Sequence, residues 1–231
     1  MSLETLLLLL AWGTLVGLDL VSVPQVMIAR PIVAGPVAGA ILGDPWTGFA
    51  LGVLFELFQY DVLPVGAARY PEYGPATVAA VSAAHAAGGG GGGGEALGIG
   101  LGALVGLVTG MMGGTSMHLV RRLNARATHA ANERLEAGDA RVLVRLHLAG
   151  ILRDATRAAL VTAFGLGLGQ LARALVVGAL TVRGVTLLDV AAVSAGIAAG
   201  AAGTLRLVGR GPGLRWFAAG VVGGAAVAWL R

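Results

Sequence analysis

Three carboxylates, Asp44, Glu56 and Asp61, stand inside or beside the apolar stretch GDPWTGFALGVLFELFQYDVLPVGAARYPEYGP at positions 43–75. An acid at mid-bilayer depth costs about 2.5–3.5 kcal/mol on insertion scales, so its retention points to a functional site. A carboxylate can accept two or more hydroxyl hydrogen bonds of the charge-assisted kind, each worth about 1.5–3 kcal/mol. Glu56 and Gln59 are three residues apart and share one helical face, where they could hold a single hydroxyl-bearing ligand. The competing reading of Glu56 is a buried ion pair with Arg30 or Arg69. Asp44 precedes Pro45, a pairing that suits an N-cap followed by proline in the first turn of a helix. Asp61, Arg69 and Glu72 fall in a polar loop, where solvation is the simplest expectation.

The elements that must position these groups are short. A spanning helix needs about 20 apolar residues, yet Ile32 to Gly43 and Trp46 to Phe58 are both interrupted sooner. Arg30 and Pro31 open the first, Asp44 and Pro45 divide the two, and Tyr60 to Pro64 closes the second. Two half-length apolar helices joined at a polar proline turn predict a re-entrant hairpin over 31–62. Such irregular backbone is tolerated only inside protein or beside a water-filled cavity, and broken helices point to transporter binding sites.

The whole chain agrees with a membrane setting. Its 231 residues are 56% hydrophobic and 12% charged, with mean hydropathy +0.82, outside the range of ordinary soluble domains. We read an all-α, polytopic membrane protein of six to eight hydrophobic segments forming a single membrane domain over 1–231. The N-terminal half, 1–120, holds the hairpin; 121–147 is a cytoplasmic amphipathic linker; 148–231 supplies the C-terminal spans. The first 28 residues lack a basic n-region and a cleavage site, and are expected to be retained membrane sequence. Glycines at 98, 102, 106, 110 and 114, and at 35, 39 and 43, line helix faces with no side chains, as close packing in lipid requires. Seven consecutive glycines at 88–94 read as a flexible loop, since no Gly-Lys-Ser/Thr follows them. Eight of the sixteen arginines fall in 121–157, which by the positive-inside rule faces the cytoplasm. Arg121 to His147 can be drawn there as a helix pair broken at Gly138.

Cysteine and lysine are absent, which excludes disulfides, thiolate chemistry and lysine cofactor linkage. The histidines at 85, 118, 129 and 147 are dispersed, and zinc needs three or four converging ligands. Neither a cofactor nor a metal is implied, no nucleic-acid surface is indicated, and no histidine has the setting of a phosphate carrier.

Arg30-Pro31, Leu42-Gly43-Asp44, Thr47-Gly48, Gly52, Glu56-Leu57 and Pro64-Val65-Gly66-Ala67, in this order and spacing, resemble the IIC subunit of the mannose/sorbose family of the bacterial phosphotransferase system. His129-Ala130-Ala131 and His147 look like that family's amphipathic linker. The resemblance implies a sugar permease subunit of the inner membrane, trimer-based, with a core domain that slides against a static scaffold. It also implies a IID membrane partner and soluble IIA and IIB phosphocarriers that hold the phosphorylated histidines. Glu56 matches the position associated with sugar hydroxyls. The candidate substrate-binding set is therefore Glu56, Gln59 and Asp61, with Asp44, Arg30, Gly66 and Ala67 around them. An alternative of another class is a regulatory or assembly membrane protein that keeps the scaffold without transporting.

Overall fold

The computed structural model describes residues 1–23, 25–60, 62, 70–87, 98–176, 179, 182–208 and 215. Eight helices follow in order: α1 (Leu3–Asp19), α2 (Pro31–Leu42), α3 (Pro45–Gln59), α4 (Tyr73–Ala87), α5 (Ile99–Ala130), α6 (Asn132–Glu136), α7 (Ala140–Val176) and α8 (Val182–Val208). Three of them, α5, α7 and α8, are long and apolar enough to cross a bilayer.

The short pair α2 and α3 stands where the interrupted segments predict it. At 12 and 15 residues these helices are about 18 and 22 Å long, against a hydrocarbon core of about 30 Å. Gly43 ends α2 in the left-handed conformation, φ +77°, which costs glycine nothing. The next residue, Asp44, caps α3 by accepting from the Thr47 N–H at 3.1 Å, with Pro45 in the first turn. The tip is thus a helix stop and a helix start in consecutive residues.

Glycine faces hold the hairpin shut. A Cβ on Gly35 would lie 2.9 Å from the Gly52 Cα, and one on Gly48 would lie 2.9 Å from the Gly39 Cα, distances that real side chains do not adopt. The five-glycine stripe of α5 packs antiparallel on α4 in the same manner: Gly102 faces the Ala80 carbonyl, where a Cβ would sit at 2.6 Å, and Gly110 faces Ala76 and Glu72. In lipid, where apolar burial between helices is not driven by water, such backbone approach supplies the packing. Its core comprises Leu9, Val16, Leu51, Leu54, Phe55, Val78 and Val81, all buried.

α7 gathers the rest. It runs antiparallel to α1, with Gly13 against Thr162 and Gly17 against Ala158, and parallel to α4, with Gly165 at Ala79 and Gly169 at Ala83. Asp189 of α8 accepts from the Gly100 N–H at 2.6 Å, satisfying one of the donors that the first turn of α5 leaves open.

Residues 121–130 do not form a separate linker helix. α5 continues unbroken from its apolar part to Ala130, because no proline or glycine interrupts Val120 to Ala130. The break at Gly138 is present, with φ +80°. Beside it Asp139 accepts from the N–H of Arg141 and Val142 and from the Arg134 guanidinium at 2.7 Å. That guanidinium holds the Asp139 carboxyl below the usual range; desolvation opposes it, and the backbone donors add to it. The depressed value means the interaction contributes above the carboxyl's unfolded pKa and is lost as pH falls through the folded one. Arg134→Gln is therefore expected to move the Asp139 titration upward in carboxyl 13C NMR, and an unchanged midpoint would exclude the pair.

Candidate functional site

The residues of the hairpin base come together through Asp19, at the end of α1. Its buried carboxylate accepts from the Val26 N–H at 2.8 Å and the Ala29 N–H at 3.1 Å. These two bonds tie Val26 and Ala29 back to the end of α1, and between them Met27 stands at φ +67°, a conformation uncommon outside glycine. The fold-back delivers Arg30 and Pro31 to the start of α2. There Arg30 pairs with Glu56 through Nη2 and Oε1, and the second Glu56 oxygen accepts from the Ile32 N–H at 3.2 Å.

Glu56 is thus bound from two sides. It is 9% exposed, its carboxylate is held at the N-terminus of α2 where the helix dipole favours a negative charge, and it ties the end of α3 to the start of its partner. Arg30 is different, because its side chain keeps 45% of its surface open. The ion pair has one buried member and one exposed one. Phe55, Phe58 and Tyr73 pack on one another, with Tyr73 at 5.8 Å from the Phe55 ring and 6.3 Å from Phe58.

Gln59 follows Glu56 by three residues on α3. It lines a narrow cleft with Val16, Leu20 and the 70–75 segment. Asp44 lies at the far end of the hairpin as a helix cap. Asp61, Gly66 and Ala67 lie outside the described residues. Of the sequence-derived set, the structure brings Arg30 and Glu56 into contact and places Gln59 one turn further along α3.

A second charged group was not legible as such in the sequence. Glu72, expected to be a solvated loop residue, is 1% exposed, and that expectation is corrected here. Arg157 of α7 grips it with both terminal nitrogens, Nη2 to Oε1 at 3.0 Å, while its Nε donates to Asp154 at 2.6 Å. The other Asp154 oxygen accepts from the Ser22 hydroxyl, and the Glu72 N–H donates to the Gly110 carbonyl at 2.9 Å. Arg157 and Asp154 had been counted with the cytoplasmic arginine-rich stretch; they sit inside the bundle instead. A guanidinium fork matched to a carboxylate is the arrangement that withstands burial. Through it α1, α4, α5 and α7 are joined just below the base of the hairpin. The only advance sign was Asp154 and Arg157 three apart on one helix face.

The family profile described as "PTS system sorbose-specific IIC component" matches residues 3–227. A "PTS system sorbose-specific EIIC component" of Lacticaseibacillus casei is 27% identical over 157 residues, 68% of this chain and 53% of that protein. The aligned part therefore spans about half the length of that curated relative. A solved structure described as "Structure of membrane protein" superposes with a TM-score of 0.73 at 20% identity, covering 97% of this chain and 87% of that one. The mannose transporter ManYZ, solved by cryo-EM with microcin E492, superposes with a TM-score of 0.54 at 21% identity over the same shares. At these identities the two structures support the fold, and the profile, which runs nearly end to end, supports the lineage. The chain is a multi-pass membrane protein that belongs to the sorbose-specific IIC component family of the phosphotransferase system.

Proposed function

We propose that the chain is the permease subunit of a mannose-family phosphotransferase system in a bacterial inner membrane. It binds a hexose-type sugar and lets it cross while a IID subunit completes the membrane complex and soluble IIB and IIA proteins relay phosphate. The basic end of α5, α6 and the start of α7 then face the cytoplasm, in keeping with the positive-inside rule. The observation that carries this reading is the Arg30–Glu56 pair at the base of a half-length hairpin. A carboxylate held buried on α3, with an exposed guanidinium as its replaceable partner, presents acceptors that sugar hydroxyls can take over when Arg30 swings aside. Gln59, one turn on, offers both donor and acceptor. Asp61, Gly66 and Ala67 follow in the chain and are proposed as the remainder of the set.

Glu56→Gln tests it, because the amide keeps the shape and loses the charge. With equal amounts in the membrane, uptake of labelled sugar is expected to fall at least tenfold when the chain is expressed with its IID partner. Undiminished uptake would remove Glu56 from the sugar site. A variant that fails to insert would favour a purely structural ion pair, and with it the alternative of a non-transporting scaffold protein, which the occupied state of Glu56 also fits.

A further inference from the structure

At the end of the bundle opposite the arginine-rich helices lies a cavity of about 280 Å³, near the small end of the range for ligand pockets, about 300–1,000 Å³. The helix registers explain its lining. α1 runs antiparallel to α7, so Thr5 comes level with Gln170 and Arg173; α4 runs parallel to α7, so Ser82 and His85 reach the same height. Leu42, at the tip of the hairpin, closes one wall.

Its chemistry is unlike the rest of the bundle interior. Thr5, Ser82, His85, Gln170 and Arg173 all line it, and none of the lining residues carries a carboxylate. Arg173 makes no ion pair among the described residues. Ser82 is 2% exposed, yet its hydroxyl has no hydrogen-bond partner among them. A helical serine commonly bonds the carbonyl four residues back, as Thr77 and Thr109 do here; Ser82 does not. A buried hydroxyl left unpaired costs about 1–3 kcal/mol; this one is sealed in the cavity wall, and a turn about its Cα–Cβ bond is needed to bring it to a ligand oxygen that would recover that cost. A permanent guanidinium with no counter-charge among the described residues can take an anion, preferably one with paired oxygens.

We propose that this cavity binds an anionic, hydroxyl-bearing molecule, with its acid group on Arg173 and His85 and its hydroxyls on Ser82, Gln170 and Thr5. Two sources present that chemistry at a membrane surface: a soluble sugar acid, and the glycerol phosphate headgroup of an anionic lipid. The site lies at the other end of the hairpin from Glu56 and does not rest on the transport reading.

The test uses the full chain in nanodiscs. In phosphatidylcholine discs, glucuronate and glucose are titrated by calorimetry; in a second arm, phosphatidylglycerol replaces part of the lipid and retained lipid is counted by native mass spectrometry. Binding of glucuronate at least tenfold tighter than glucose, lost in Arg173→Gln and weakened in Ser82→Ala, is the result expected for a soluble ligand. Retention of phosphatidylglycerol that Arg173→Gln abolishes assigns the headgroup instead. Arg173 is exposed, so its replacement leaves the packing intact, and Glu56→Gln is expected to leave either signal unchanged. No Arg173-dependent binding in either arm would overturn the proposal, as would equal binding of glucuronate and glucose by the wild type without lipid retention. Loss of uptake in Glu56→Gln alongside intact binding here, or the reverse, separates the fate of this site from that of the permease reading.

Discussion

Arg157→Met is expected to leave almost no monodisperse protein after solubilisation, a loss of about 3–5 kcal/mol as found when one member of a buried ion pair is removed. Arg157 serves Glu72 and Asp154 together, so its loss strands two buried acids among packed helices. Arg157→Lys is expected to fall between, since an ammonium cannot satisfy the Glu72 carboxylate with a fork while also reaching Asp154. A double variant, Glu72→Gln with Arg157→Met, is expected to regain part of the loss, because one stranded charge is then gone. The measurements are size-exclusion profile and thermal melting in one detergent. A single Arg157→Met variant that melts like the wild type would show that the cluster does not hold the bundle together.

Gly48→Ala is expected to reduce sugar uptake at least tenfold and to lower stability by about 1–3 kcal/mol, the usual range for overpacking. The added methyl meets the Gly39 Cα at 2.9 Å and the Gly35 backbone closer still. Backbone cannot rotate away as a side chain can, so α2 and α3 must separate, and the Arg30–Glu56 contact at their base opens with them. Gly167→Ala supplies the control. A Cβ there meets nothing within 4 Å, and alanine in mid-helix is favoured by about 0.5–1 kcal/mol over glycine, so this variant is expected to melt no lower and transport normally. Equal behaviour of the two variants would refute the claim that the hairpin depends on glycine contact.

Much of the hairpin was legible because its signals are local. Pro31, Gly43, Asp44 and Pro45 each restrict backbone or cap a helix within a few residues, and the spacing of glycines by four marks one face of one helix whatever that face touches. Glu56 was recognisable as a costly acid in apolar sequence, and Arg30 was among the partners considered; Arg30 could not be chosen over Arg69 without knowing that Val26 and Ala29 tie back to Asp19. Glu72 was misread for a physical reason. It stands in Tyr70-Pro71-Glu72-Tyr73-Gly74-Pro75, a composition that suits a loop, and nothing nearby announces that α7 supplies its counter-charge. The same distance hid Arg157, which follows seven arginines in a stretch that obeys the positive-inside rule as a group. Charge statistics describe the group and cannot single out the member that turns inward. The polar cavity was beyond reach for a related reason, since Thr5, Ser82 and Arg173 come together only through the registers of α1 and α4 on α7.

The long separation between Glu72 and Arg157 also has a clock in it. These partners lie 85 residues apart, and at about 5–20 residues per second the ribosome needs roughly 4–17 s to make the second after the first. Through that interval the hairpin and α4 have already been synthesised, with an acid at their base that has no counter-ion. Bilayer entry of the early helices must therefore proceed with Glu72 protonated, left in the headgroup region, or shielded by the insertion machinery. Arrival of α7 then locks the early segments in place, which makes the order of synthesis part of how this chain reaches its folded state.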